Sequence, residues 1–226
     1  MKKIIITVLA IFLNAEIIIY QKNFTIKKPV KSWIEIKNEN LVRQKYDYSC
    51  GSAALATILK YFYDLNITEK DILNKILELK SLNDKKKKNY ENKDFMLSFY
   101  DLARYIKLQN FKAVGLALDL ESLSKLQVPV ILYVKIRKNT HFTVFKGIDK
   151  NYVYLADPNF GNIKLKISKF KKIFYLSNTK YPGKVLAIIP KTKEQIKHIN
   201  KNFMKIRKSS VFIYEVIKNN TIIFIY

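Results

Sequence analysis

The cysteine at position 50 is the only one in the chain, and its surroundings suit a nucleophile. Residues 53–63 are nearly all apolar and mostly good helix formers, which predicts a helix buried on every side. Ser49 is the predicted N-cap and Cys50 the first helical residue, where free backbone N–H groups and the helix dipole favour a thiolate. The pattern predicts a reactive thiol. The alternative is that Cys50 is a small buried apolar side chain, the ordinary role of a free cysteine.

Two neighbours of Cys50 fit an attack on a carbonyl group. Gln44 lies one loop upstream, and its amide N–H is predicted to donate to an oxyanion formed beside the sulfur. Gly51 has no side chain, so we expect it to leave room for a substrate backbone to approach Cys50. The stretch around Cys50 therefore predicts acyl transfer to sulfur.

A histidine and an aspartate occur on two predicted strands joined by a tight turn. Residues 141–148 and 152–156 read as strands, and the residues between them have the composition of a hairpin turn. With the turn centred on residues 149–150, His141 and Asp157 face each other with Cβ atoms roughly 5 Å apart. A carboxylate there holds an imidazole in the tautomer that a general base needs. A slip of one residue would put the two on opposite faces.

Each of these two residues also has an ordinary interpretation. His141 can be a strand-edge histidine satisfied by backbone groups, and Asp157 can simply open an Asp-Pro turn. His198, the other histidine, lies in a basic tail and is not predicted to be the base.

The elements that must position these residues follow one order, helices first and strands afterwards. A capping pattern from Thr68 to Asp71 precedes a second helix, and Ser98 caps a third. Residues 30–36 are predicted to be an extended arm or an edge strand. Six strands are predicted at 112–118, 128–134, 141–148, 152–156, 163–167 and 184–189, with short helices at 119–126 and 168–174. This pattern predicts an α+β fold in which N-terminal helices pack on a C-terminal antiparallel sheet.

The N-terminus predicts export. Two lysines precede the apolar residues 4–13, and Asn14-Ala15 ends this run as in a secretory signal. An uncleaved N-terminal anchor is the alternative, and in either case we expect the protein to be periplasmic or to face the periplasm. A lone cysteine in an exported chain forms no internal disulfide, which favours a catalytic role for Cys50.

Composition allows one packed domain with appendages, since 49% of the 226 residues are hydrophobic. The net charge of +24 does not predict a nucleic-acid partner, because the lysines are spread along the chain without a basic and aromatic motif. Membrane contact is expected only through an uncleaved N-terminus. The predicted organisation is a signal or anchor at 1–15, an arm at 16–40, a catalytic domain at 41–190 and a basic extension at 191–226.

Three motifs occur in order between residues 42 and 190. They are Gln44 with Asp47-Tyr48-Ser49-Cys50-Gly51-Ser52-Ala53-Ala54, then His141-Phe142-Thr143-Val144, then Ala156-Asp157-Pro158. In this order they resemble the papain-like cysteine peptidases and, more closely, the bacteriocin-processing family that cleaves after double-glycine leaders. The resemblance implies that Cys50 is the nucleophile, His141 the general base and acid, and Asp157 the orienting carboxylate. It also implies that Gln44 is the oxyanion donor and that no metal or cofactor is needed.

The chain departs from the transporter members of that family. It has no later apolar run long enough to span a membrane and no G-x-x-x-x-G-K-[ST] loop. It resembles a stand-alone exported thiol protease, such as the peptidase component of a functional-amyloid secretion system, with a polypeptide substrate.

Two other functions stay open at this point. A catalytically silent module would use the same groove to bind a secreted peptide, and a transglutaminase-like acyl transferase would use the same triad. Hydrolysis and transfer share the acyl-enzyme and differ only in the second nucleophile.

Overall fold

A computed structural model describes residues 16–21, 24–84, 97–136 and 139–205. It divides the chain into two compact units, residues 1–39 and 40–226. The first unit contains the antiparallel strands β1 (Glu16–Gln21) and β2 (Phe24–Pro29), followed by helix α1 (Trp33–Asn38). The predicted signal or anchor at 1–15 lies outside the described residues, as do residues 206–226 of the basic extension.

Helix α1 corrects the prediction of an extended segment at residues 30–36. The Ser32 hydroxyl accepts a hydrogen bond from the Glu35 backbone N–H, and the Glu35 carboxylate accepts one from the Ser32 backbone N–H. This reciprocal capping box satisfies two N–H groups at the helix start. It outweighs the β-branched residues on which the strand prediction rested.

The second unit places helices before a six-stranded sheet, as predicted. Its helices are α2 (Cys50–Tyr61), α3 (Glu69–Asp84), α4 (Phe99–Leu108), α5 (Leu120–Ser124), α6 (Ile167–Phe174) and α7 (Lys193–Lys197), with a 3-10 helix at Lys201–Met204. Its strands are β3 (Phe111–Leu118), β4 (Val130–Ile136), β5 (Asn139–Ile148), β6 (Tyr152–Asp157), β7 (Gly161–Lys166) and β8 (Gly183–Pro190). The sheet order is β3-β8-β4-β5-β6-β7, and every neighbouring pair is antiparallel. The α+β class is confirmed.

Helix α2 lies at the centre of this unit. Every residue from Gly51 to Leu59 is buried, as the apolar run predicts. Its side chains pack with those of α3 and α4 against one face of the sheet, whereas α6 packs on the other face. Burial of this kind contributes roughly 1.5–3 kcal/mol for each large aliphatic side chain. Packing against the sheet and against α3 and α4 therefore holds the start of α2 in a fixed place.

The predicted caps of α3 and α4 are present. Thr68 and Asp71 exchange hydrogen bonds at the start of α3, and Ser98 and Asp101 do the same at the start of α4. Helical periodicity predicts buried faces for both helices, and the structure buries Ile72 and Ile76 of α3 and Leu102, Tyr105 and Ile106 of α4. Leu77, predicted on the same face of α3, is instead exposed. These caps position the ends of the helices that flank α2.

The hairpin of β5 and β6 has a different register from the predicted one. Its turn closes between Asp149 and Tyr152, and near the turn Gly147 pairs with Tyr154. A bulge at Lys146 then shifts the ladder by one residue, so that Val144 pairs with Ala156. Gly147 has φ 153°, a conformation that glycine tolerates best.

The start of the C-terminal extension belongs to the folded unit. Phe203 is buried beside Phe62, with ring centroids 6.1 Å apart, and the Asn200 backbone N–H donates to the Phe62 carbonyl oxygen. Within the described ranges, no helix is both long enough and apolar enough to cross a bilayer.

Candidate active site

Cys50 is the first residue of α2, as predicted, and its side chain is partly exposed. Ser49 occupies the N-cap position, but its hydroxyl makes no capping bond to the helix. Its single O–H is instead shared between the Tyr46 carbonyl oxygen, 2.7 Å away, and the Glu69 carboxylate. The predicted N-cap position of Ser49 is confirmed, but its side chain does not cap the helix, because its backbone (φ −91°, ψ 12°) is not the extended one from which a serine hydroxyl reaches the N–H groups of the first turn. Ser49 leaves the first N–H groups of α2 available beside the sulfur.

Glu69, in the first turn of α3, is a residue of the site that the sequence analysis missed. It is 3% exposed, and its carboxylate accepts hydrogen bonds from the Ser49 hydroxyl and the Lys45 backbone N–H. These bonds tie both ends of the loop before Cys50 to α3. The available signal was its position inside the capping sequence. Because Asp71 caps α3, the Glu69 carboxylate serves the loop instead.

We expect Glu69→Ala to lower the free energy of unfolding by about 1–3 kcal/mol, since it leaves a buried N–H group without its acceptor. The rate of the reaction at Cys50 should fall by up to about 10²-fold, because Cys50 directly follows the released loop. Glu78→Ala is the matched control on the same helix, since the carboxylate of Glu78 pairs with the exposed Lys75 and with no other side chain among the described residues. It should change stability by less than about 0.5 kcal/mol. If urea unfolding shows the same loss in the free energy of unfolding for both variants, Glu69 does not hold the loop before Cys50 in place.

His141 and Asp157 lie together. The His141 Nε2 atom is 3.1 and 3.0 Å from Oδ1 and Oδ2 of Asp157. Both side chains are almost completely buried, and the ring of Phe160 lies edge-on to the imidazole at 6.4 Å. The Cys50 side chain lies close enough to the imidazole to raise the pKa of His141, and both residues line one cavity. Since Nε2 faces the carboxylate, Nδ1 is the nitrogen left for the sulfur.

The two residues are diagonal neighbours and not direct partners, which corrects the predicted register. Continuing the observed ladder puts Asp157 opposite Thr143, two residues from His141 and on the same face. Without the bulge at Lys146, Asp157 would lie opposite Val144, and His141 would point to the other face. The bulge therefore supplies the shift that brings the imidazole to the carboxylate.

The pKa values describe a coupled pair. Burial disfavours the charged imidazole, but hydrogen bonds to Asp157 and Cys50 and their negative charges outweigh it and raise the pKa of His141 to about 9. Burial also disfavours the charged carboxylate. The hydrogen bond and charge of His141, with the N–H groups of Phe160 and Asn159, nevertheless hold the pKa of Asp157 below its usual range. The two side chains therefore stabilise each other's charged forms, a protonated His141 imidazole beside an ionised Asp157 carboxylate.

Asp157 also performs the ordinary role that the sequence allowed. Its Oδ1 atom accepts hydrogen bonds from the backbone N–H groups of Asn159 and Phe160, at 2.9 and 3.0 Å. The aspartate thus opens the turn and faces His141 at the same time. The two interpretations of this residue do not exclude each other.

Gly51 does not serve the role predicted for it. A Cβ at this position would lie 3.1 Å from the Phe142 ring and 3.5 Å from Leu102, inside the core. The helix turns by about 100° per residue, so Gly51 points away from the side on which Cys50 is exposed. Its missing side chain makes room for Phe142 and not for a substrate.

Gln44 lies on a loop that joins the two halves of the site. Its Nε2 group donates to the Tyr46 carbonyl oxygen at 2.7 Å, which leaves one hydrogen on that nitrogen for another acceptor. The Gln44 backbone N–H donates to the Pro158 carbonyl oxygen at 3.1 Å, and the Arg43 guanidinium donates to the Asn159 carbonyl oxygen. These bonds link the loop before Cys50 to the turn after Asp157.

A cavity of about 430 Å³ opens beside the sulfur. Three aromatic rings form one wall, with centroids of Phe99 and Tyr133 lying 5.1 and 5.3 Å from that of Phe142. The described lining residues are Tyr48, Cys50, Leu97, Ser98, Phe99, Tyr133, Thr140, His141, Phe142 and Lys184. This cavity can hold the side chains of an extended polypeptide next to the thiol.

The fold is that of papain-like peptidase domains. The chain resembles the crystal structure of a double glycine motif protease from an AMS/PCAT transporter in complex with its leader peptide, with a TM-score of 0.50 and 21% identity. That match covers 66% of this chain and 90% of the other. The peptidase domain of Streptococcus ComA, a bi-functional ABC transporter of a quorum-sensing pathway, gives a TM-score of 0.51 and 21% identity, over 67% of this chain and 98% of that domain. The papain-like part of the fold prediction is confirmed.

Residues 38–180 match the model of the Peptidase C39 family, and the chain belongs to this family. It is 34% identical over 143 residues to a protein of Pseudomonas fluorescens named "Probable functional amyloid protease FapD", and 31% identical over 145 residues to the protein of that name in Pseudomonas aeruginosa. These matches cover 63% and 64% of this chain, but only 60% and 61% of the two relatives. The predicted resemblance to a bacteriocin-processing peptidase family is confirmed.

Proposed function

We propose that this chain is a cysteine endopeptidase that cleaves a polypeptide with the triad Cys50, His141 and Asp157. One observation carries the proposal. The imidazole of His141 faces a buried carboxylate through Nε2 and interacts with the Cys50 side chain at a helix start, beside the cavity that both residues line. Membership of a peptidase family supports the same activity.

The proposed reaction has two steps. The Cys50 sulfur attacks the scissile carbonyl carbon, and the oxyanion accepts hydrogen bonds from the Cys50 backbone N–H and from Gln44. His141, held by Asp157, gives a proton to the leaving amine as the C–N bond breaks. A water molecule then loses a proton to His141 and attacks the thioester, which releases the acid product and restores the thiol.

The proposed substrate is a secreted or co-exported protein, such as a component of a functional-amyloid system. The names of the Pseudomonas relatives support this context. The basic and apolar N-terminus supports export to the periplasm, with the signal cleaved or kept as an anchor.

The test is the mapping of new N-termini. The native protein, purified from its own cells, should begin after residue 15 or fractionate with the membrane, and it should generate new N-termini in co-secreted proteins. Binding without cleavage would favour the silent module. Products that carry an added amine in place of water would favour the acyl transferase. Full-length protein in the cytosol would contradict export.

A further inference from the structure

The cavity beside Cys50 contains one charged side chain that the proposed chemistry does not use. Lys184, at the start of β8, lines this cavity together with Cys50 and His141. The rest of the described lining is aromatic, aliphatic or hydroxylic and includes no carboxylate. Lys184 therefore gives the cavity a positive charge that no acid in the described part of its wall compensates.

Sheet register fixes where this charge lies. Tyr133 on β4 pairs with Phe142 on β5 and with Lys184 on β8. Directly opposed residues lie on one face, with Cβ atoms about 5 Å apart, so the three side chains form a row that crosses the sheet. The row begins at Phe142, which follows His141 in the chain and lines the same cavity, and it ends at the lysine. An extended peptide that lies along it meets aromatic rings first and an ammonium group afterwards.

The ammonium group of Lys184 has no hydrogen bond or ion pair with any residue that the structure describes, and the side chain is exposed. Several other lysines here have acidic partners, such as Lys75 with Glu78 and Lys125 with Glu121. An ammonium group over an apolar wall, without its own counter-ion, favours an anionic ligand. A carboxylate is the anion that a polypeptide carries.

We propose that Lys184 selects substrates with a carboxylate close to the scissile bond, next to an apolar or aromatic side chain. The proposal rests on the proposed peptidase function and names the substrate class for it. The carboxylate comes either from an Asp or Glu side chain or from a free C-terminus, and both would meet the same ammonium group.

The first test does not require peptidase activity. Cys50 is alkylated with iodoacetate, which carries a carboxylate, and with iodoacetamide, which is neutral. The ratio of the two rates should fall at least about fivefold in Lys184→Glu and less in Lys184→Met. It should be unchanged in Lys112→Glu, the matched control, because Lys112 is an exposed strand lysine that pairs with Ile189 at the other end of β8. An unchanged ratio in Lys184→Glu would overturn the proposal.

The second test uses peptides that differ at one position among Glu, Gln and Lys, each as a C-terminal acid and as an amide. We expect wild type to prefer Glu over Gln by about tenfold in kcat/KM, and Lys184→Glu to prefer Lys. Preference for the acid over the amide form would identify the C-terminus as the source of the carboxylate. Cleavage without any carboxylate preference would overturn the proposal. A changed alkylation ratio without cleavage of any peptide would retain the role of Lys184 and refute the peptidase.

Discussion

Replacing Cys50 by alanine should abolish cleavage of the native substrate and leave the fold intact. Removal of a catalytic nucleophile typically lowers kcat by on the order of 10⁵-fold or more. Alanine is the best helix former, and Cys50 is only partly buried at the first position of α2. We therefore expect the free energy of unfolding to change by less than about 1 kcal/mol.

Ser52→Ala is the matched control for this experiment. Ser52 lies on the same helix, is completely buried, and its hydroxyl oxygen makes no hydrogen bond within the described structure. Its removal should leave both cleavage and stability nearly unchanged. Cleavage by Cys50→Ala at the wild-type rate, with Ser52→Ala equally active, would refute the proposed mechanism.

The same variant tests the contact between the thiol and the imidazole. The pKa of His141 is raised to about 9 in part by its hydrogen bond to Cys50 and by the charge of the sulfur. Loss of the sulfur should lower this pKa, while Asp157 still raises it. The chain has only two histidines, so His141 can be followed by NMR beside His198. An unchanged titration midpoint would mean that the two side chains do not interact.

Asp157→Asn should reduce kcat by about 10²-fold or more without unfolding the protein. Asparagine keeps an oxygen for the backbone N–H groups of Asn159 and Phe160, so the turn is retained. Its amide nitrogen then replaces Oδ2, 3.0 Å from Nε2 of His141, while the retained Oδ1, 3.1 Å from Nε2, already accepts from those two backbone N–H groups. An amide N–H donor would then face the Nε2–H group, and the imidazole relieves this by moving its proton to Nδ1. A protonated Nδ1 on a neutral ring cannot accept the thiol proton.

Asp149→Asn is a close control for this change. The Oδ1 atom of Asp149 accepts hydrogen bonds from residues two and three positions later, as that of Asp157 does, and its Oδ2 accepts one from the Tyr154 hydroxyl. It has the same turn geometry and no contact with His141. We expect this variant to keep nearly full activity. Equal activity losses in the two variants would assign Asp157 to the turn alone.

The sequence predicted the order of the helices and strands, and it predicted that His141 lies beside Asp157. The second prediction assumed a hairpin register that the structure does not have. Strand and helix periodicity depend on local composition, which the residues display directly. The hairpin register depends on where the turn closes and on the bulge at Lys146. Both differ from the predicted geometry. Together they shift the pairing of β5 with β6 by two residues, an even number, so His141 and Asp157 still lie on one face of the sheet.

The residues that sequence analysis misjudged are those whose role depends on a distant partner. Glu69 and Ser49 are twenty positions apart and meet through a buried hydrogen bond. Gly51 accommodates Phe142, which lies on a strand far along the chain. Local patterns assign such residues to the nearest helix cap or to the nearest reactive group. Long-range packing decides otherwise, and one sequence alone does not display it.

The bulge on β5 also limits which insertions and deletions the paired parts of β5 and β6 can accept. Sixteen positions separate His141 from Asp157, and gain or loss of one residue within the paired segments between them reverses the face on which the imidazole lies unless the bulge is lost or regained as well. The turn between Asp149 and Tyr152 can change length without this effect, because the pairing of the strands is kept. Related chains should therefore vary the turn freely, and pair each odd change within β5 or β6 with a change in the bulge.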